Sequence, residues 1–148
     1  MNRWLLVFCV WVWGCAAGLA AEAGRVPAAV ARVVDGDTVA VTAEPWPGWR
    51  VDTLVRLVGA DAPELRARCP AERAAAIAAR DFLSGRLAAG DRVILVGVKP
   101  DRYPGRVDAT VITADGVDLA AALLAAGLAR PYDGRTRRAG WCPAASLP

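Results

Sequence analysis

The stretch from Arg56 to Glu64, RLVGADAPE, places a guanidinium and two carboxylates, Asp61 and Glu64, at the end of an apolar run. Val55, Leu57 and Val58 are strand formers, Gly59 ends the run, and Pro63 holds both acids in a rigid bend. Carboxylates fixed in such a turn can hold a hard cation or accept a proton, and the arginine can pair with an anion. An acidic turn after a strand is by itself ordinary turn chemistry. Two other charged stretches stand at strand ends and give it company: Asp35-Gly36-Asp37-Thr38 and Asp101-Arg102-Tyr103-Pro104-Gly105-Arg106.

Composition limits what these groups can do. The chain has no histidine, which removes Ser-His-Asp hydrolysis, His-paired cysteine chemistry, His general bases and His-ligated zinc. Whatever chemistry exists here must run on carboxylates and arginines, with or without a hard metal. The net charge is +3, carried almost wholly by arginine, whose planar fork pairs with phosphate oxygens better than lysine does. A length of 148 residues suits one compact domain.

The elements that must position these groups follow from pattern. Residues 29–42 read as strand, Asp35-Gly36 turn, strand, with Asp-Gly supplying a left-handed position. After a loop carrying Trp46 and Trp49, a third strand runs from about Arg50 to Val58, with Val51, Thr53, Val55 and Leu57 on one face and Leu54, Arg56 and Val58 on the other. Cys69-Pro70 opens an alanine-rich helix, with Ala75, Ala78, Ala79 and Phe82 on its packing side and Gly85 or Gly90 at its end. Residues 92–98 read as a strand buried on both faces, 107–113 as another, and 117–128 as a second helix opened near Asp118 and closed at Gly127. The basic tail from Ala129 has no periodicity. Five short strands with an interposed helix predict a mainly β protein, a five-stranded OB-fold barrel with two or three α-helices; an α+β sandwich is the competing architecture.

The N-terminus reads as a targeting segment. Arg3, the apolar run Trp4 to Trp13 and the small residues through Ala23 form a secretory signal over 1–23, with cleavage after Ala20 or Ala23. An uncleaved anchor is the alternative, although the run is shorter than the ~20 residues a spanning helix needs. Export, secreted or periplasmic, leaves Cys69 and Cys142 as the cysteines of the mature chain, a pair suited to a disulfide that would stabilise the fold by roughly 3 to 4 kcal/mol. Two buried thiols are the alternative. The domain is bounded at 27–142, with 143–148 as a tail.

In order and spacing the three charged stretches resemble the staphylococcal nuclease (thermonuclease) family, whose pattern is DGDT, then an arginine leading to D-x-P-E, then a D-[KR]-Y-x-G-R-like loop. The resemblance covers about Ala29 to Tyr132. It implies catalytic roles for Arg56, Arg106 and Glu64, with Glu64 as general base or water-orienting group. Calcium ligation is implied for Asp37, Asp61 and the backbone carbonyl at Ala62, where the family has threonine, and nucleotide contact for Arg102 and Tyr103. The extra Pro104 lengthens the loop, which bears on the reach of Arg106. The activity implied is calcium-dependent hydrolysis of DNA and RNA to 3′-phosphate ends by a monomer with no stable membrane association after signal cleavage. A non-catalytic barrel that binds single strands or a protein partner is the alternative, as are mere surface ion pairs, Asp37 with Arg56 and Glu64 with Arg106. A pure binder of phosphate has no need for Asp37, Asp61 and Glu64, which repel it.

Overall fold

A computed structural model gives the fold and describes residues 24–135 and 140–142. The segment 1–23, read from sequence as a signal, and the tail 143–148 lie outside the described residues. In chain order the elements are β1 (Arg25–Val33), β2 (Thr38–Trp46), β3 (Trp49–Leu57), β4 (Gly59–Asp61), α1 (Pro70–Ser84), β5 (Arg92–Pro100), β6 (Arg106–Thr113), α2 (Leu119–Ala125) and β7 (Arg130–Tyr132). Five of the strands close a barrel in the order β1-β2-β3-β6-β5, antiparallel throughout except for the parallel β3–β6 pair. This is the OB-type barrel the sequence predicts, with two helices among the described residues.

Alternation builds the interior. Val39, Val41 and Ala43 of β2 point inward, as do Val55 and Leu57 of β3, Val93 and Leu95 of β5, and Ala109 and Val111 of β6, all buried. The sequence reading of β5 as buried on both faces is corrected: Arg92 is exposed, Ile94 and Val96 are half-buried, and the strand is exposed from Gly97 to Pro100. Its outer side is not fully covered, so the β-branched run of β5 marks propensity rather than double burial. β4 and β7 form a separate two-stranded sheet with Asp61 opposite Arg130, so the bend after Gly59 is tied to a tail segment that carries no periodicity of its own. Gly59, at φ +91°, makes the corner between β3 and β4.

Helix α1 starts as the sequence predicts, with Cys69 at its N-cap and Pro70 in its first turn. Its buried face is Ala76, Ala79 and Leu83, rotated from the face expected; Ala78 is exposed and Phe82 only half-buried. Ala79, which the sequence also placed on the packing side, meets the Asp35–Thr38 turn. A methyl group on Gly36 would stand 2.7 Å from Ala62 Cβ and 2.8 Å from Ala79 Cβ. Gly36 is therefore present for close approach, and it does not take the left-handed conformation that the Asp-Gly pair suggested. The smallest residues of three segments meet here, and Ala79 faces the glycine. The second helix is capped by Asp118, whose Oδ1 accepts from Ala120 N at 2.9 Å and Ala121 N at 3.2 Å. Among the described residues no helix is long and apolar enough to cross a membrane.

Gly36→Ala is expected to destabilise the fold by about 1 to 3 kcal/mol through overpacking, since neither neighbouring methyl can retract along a flexible chain. Urea denaturation of the variant beside the wild-type protein checks this; an unchanged midpoint would show that the contact relaxes.

Candidate active site

The Asp35–Thr38 turn aims a carboxylate into the protein. Asp35 Oδ1 accepts from Asp37 N at 3.1 Å, and Val34 N donates to Thr38 O at 2.9 Å, which closes the turn. Leu57 N donates to Asp37 O at 2.9 Å, so the turn is laced to the end of β3 where Arg56 stands. Asp37 and Asp61 are both buried, at 6% and 5% exposure.

Arg56 joins them. Its Nη1 donates to Asp37 Oδ1 at 3.2 Å and its Nη2 to Asp61 Oδ1 at 3.3 Å. One guanidinium thus spans two carboxylates that come from opposite sides of the strand end. Asp37 also accepts from Thr38 Oγ1 at 3.2 Å and, through Oδ2, from Ala62 N at 3.1 Å. Burial nevertheless pushes the Asp37 carboxyl up to about 6, against the lowering by Arg56 and the Ala62 amide and with a raising contribution from Asp35.

Glu64 is exposed at the rim. Arg106 enters from the far side, at the start of β6, with its Nε donating to Asp101 Oδ2 at 2.6 Å; the terminal nitrogens take no part in that bond. Burial acts to raise Asp101, but the Arg106 bond and the Tyr103 amide outweigh it and hold the carboxyl below its ordinary range. Asp108 moves the other way, raised by burial and by the neighbouring Asp101 charge. Tyr103, 51% exposed, is flanked by two guanidinium groups, with Arg102 Cζ at 4.8 Å and Arg106 Cζ at 4.7 Å from its ring centroid.

Together these groups surround a cleft of about 380 Å³, lined by Asp35, Asp37, Thr38, Arg56, Ala62, Pro63, Glu64, Arg102, Tyr103 and Arg106. Of the residues singled out in the sequence for catalysis, metal or substrate, all line the cleft except Asp61, which lies behind Arg56. The inserted Pro104 does not withdraw Arg106. Asp37 and Arg56 do form an ion pair, but a buried one, and Arg106 pairs with Asp101.

A second cleft of about 400 Å³ shares Arg56, Arg102 and Arg106 with the first and adds Lys99, Asp108, Tyr132 and Arg135. Sequence reasoning missed these last four. The signal available was the basic, aromatic-bearing tail from Arg130, which only the β4–β7 pairing brings to the site.

Cys69 and Cys142 lie at disulfide bonding distance, with Cα atoms 5.9 Å apart, and join the start of α1 to the tail.

The family model for staphylococcal nuclease homologues matches residues 54–140, more than half of the chain. The chain belongs to the staphylococcal nuclease family. A search of curated proteins returns no match. The family match includes Arg56, Asp61, Ala62, Glu64, Arg102, Tyr103 and Arg106 but begins after Asp37, so the Asp35–Thr38 turn enters the site through geometry. This family membership is consistent with a nucleic acid substrate.

Oxygen donors alone fill the acidic side of the cleft. The Arg56 guanidinium bonds both Asp37 and Asp61, and the Asp35 charge adds to the burial that disfavours ionised Asp37. That donor set fits a hard divalent cation and suits neither zinc nor copper.

The raised Asp37 value has a consequence for stability. Its folded-state pKa, about 6, lies above the ordinary 3.8, so the protonated form favours folding. The contribution is fully present below 3.8 and is lost as pH rises through about 6. In chelator-treated protein, wild-type stability should therefore fall relative to Asp37→Asn by on the order of 1 to 3 kcal/mol between pH 4 and 7. Thermal unfolding of both proteins across that range measures it; parallel curves would show that the Asp37 carboxyl is not raised.

Proposed function

We propose that this protein is an exported, calcium-dependent nuclease that hydrolyses phosphodiester bonds of DNA and RNA and leaves 3′-phosphate ends. The observation that carries this reading is the convergence of Arg56, Arg106 and Glu64 on one cleft backed by the buried pair Asp37 and Asp61, in a chain of the nuclease family. Phosphodiesters are anionic and resist attack, so hydrolysis needs charge neutralisation, an aligned water and an acceptor for its proton.

Each requirement has a group in the cleft. Arg56 is held from behind by two carboxylates and presents a fixed cation to a phosphate oxygen; Arg106 presents a second from the opposite wall. Glu64 at the rim takes the proton of the attacking water. Tyr103 and Arg102 offer a ring face and a cation to the flanking nucleotide, and the adjoining cleft with Tyr132 receives the nucleoside beyond it. Asp37, Asp61 and the Ala62 carbonyl would hold calcium, which supplies further charge neutralisation at the phosphate; because the backbone provides the third oxygen, alanine serves in place of threonine. Export is supported by the signal-like segment at 1–23 and by the cysteine pair.

Hydrolysis of single-stranded DNA, duplex DNA and RNA by the purified mature chain, with calcium and with a chelator, tests the reading beside Glu64→Gln. Cleavage is expected only with calcium, and Glu64→Gln should lower kcat by about 100-fold or more while keeping affinity for the strand. Strand binding without cleavage under any metal would instead establish a non-catalytic barrel.

A further inference from the structure

The bend that carries Glu64 has few backbone donors by which it can be held. Pro63 has no N–H, so the amides of Ala62 and Glu64 flank it. Asp37 Oδ2 accepts the first at 3.1 Å, and Glu72 Oε1 accepts the second at 3.3 Å. Asp37 belongs to the charge cluster already described, whereas Glu72 has no part in the proposed chemistry.

Glu72 is the third residue of α1, a position from which glutamate ordinarily reaches back to the amide of its own N-cap residue. Here the N-cap is Cys69, whose side chain makes no capping bond and is joined to Cys142. Glu72 reaches past it to Glu64. Its second oxygen, Oε2, lies 3.1 Å from Cys142 Sγ, which lodges the carboxylate between the cysteine pair and the bend. Ligand-type atoms of Cys69, Glu72 and Cys142 lie within 4.8 Å of one another, but the two sulfurs are joined to each other, so the cluster is a mount and not a cation site. The next helix residue completes the strap: Arg73 Nη1 donates to Ala67 O at 2.9 Å and to Arg68 O at 3.3 Å, while Ala67 N donates to Glu64 O at 3.1 Å. Successive residues of one helix turn thereby hold both ends of the segment 64–68.

We propose that Glu72 is a positioning residue for Glu64: by accepting the Glu64 amide from a seat on the cysteine pair, it fixes where the Glu64 carboxylate stands in the cleft. This rests on the reading of Glu64 as the group that acts on the attacking water. A glutamate on an exposed turn has backbone freedom that must be lost before it can accept a proton in line, and an anchored amide removes that freedom in advance.

The test compares the full chain with Glu72→Ala and Glu72→Gln, by kcat and KM on single-stranded DNA with calcium and by amide hydrogen exchange at Glu64 followed by NMR. In Glu72→Ala, kcat should fall and Glu64 exchange should rise, each about tenfold, the scale of one hydrogen bond to a charged acceptor, with KM within about twofold. In Glu72→Gln the amide oxygen keeps an acceptor in place, so both readouts should stay within about threefold of wild type. Wild-type kcat in Glu72→Ala, even with lowered thermal stability, overturns the proposal, as does a Glu72→Gln variant impaired as much as Glu72→Ala. Exchange needs no cleavage: should the wild-type chain hydrolyse no strand, the functional reading fails by itself. The anchor is then upheld if Glu64 exchange accelerates in Glu72→Ala and refuted if it does not.

Discussion

One guanidinium bonds two buried carboxylates, and the site is arranged around that cluster. Arg56 bridges Asp37 and Asp61 at 3.2 and 3.3 Å, with its side chain only 11% exposed. Burying a charge is tolerable only where partners replace water. The fold supplies them from three directions: the Thr38 hydroxyl, the Ala62 amide and the end of β3 itself. These donors can reach Asp37 only because the chain approaches closely, which the contact of Gly36 with Ala62 and Ala79 allows. Ala79 of α1 and Ala62 of the bend that leads to Glu64 both meet at that point.

The same arrangement buries Asp37 at the expense of its charged form, and this bears on function as well as on stability. A carboxyl raised to about 6 beside an arginine is a group whose charge the fold disfavours. An incoming cation would relieve that cost, so part of its binding energy goes to restoring Asp37 to its charged form.

The barrel and most of the site were legible because both rest on local signals. Alternating β-branched residues, the Asp-Gly turn, Pro70 and Asp118 each fix an element by chemistry confined to a few neighbours. What was hidden required knowledge of packing. The α1 face was misjudged in part because alanine dominates the helix, so periodicity does not tell the buried Ala76 from the exposed Ala78. β5 was read as doubly buried because Val and Ile favour strands whether one face or both are covered. The β4–β7 sheet and the second cleft were invisible, since Arg130 to Arg135 carries turn-like sequence and acquires meaning only opposite Gly59 to Asp61. Gly36 was noticed for the wrong reason: its lack of a Cβ matters here, and its backbone freedom does not.

The two arginines of the cleft are held differently, and the difference divides their work. Arg56 uses both terminal nitrogens on acids behind it, on a strand inside the barrel wall, so its position is set before any ligand arrives. Arg106 is held through Nε by Asp101 and lies against the half-exposed Tyr103 ring, beside the exposed residues 102–105. Its terminal nitrogens, outside the Asp101 bond, are the part of the fork that pairs with phosphate in two parallel bonds. A rigid cation lowers the reorganisation required as charge develops, while one gripped only at its inner nitrogen can adjust to strands of different sugar and shape. That combination suits recognition of a phosphate group by one fixed and one adjustable cation.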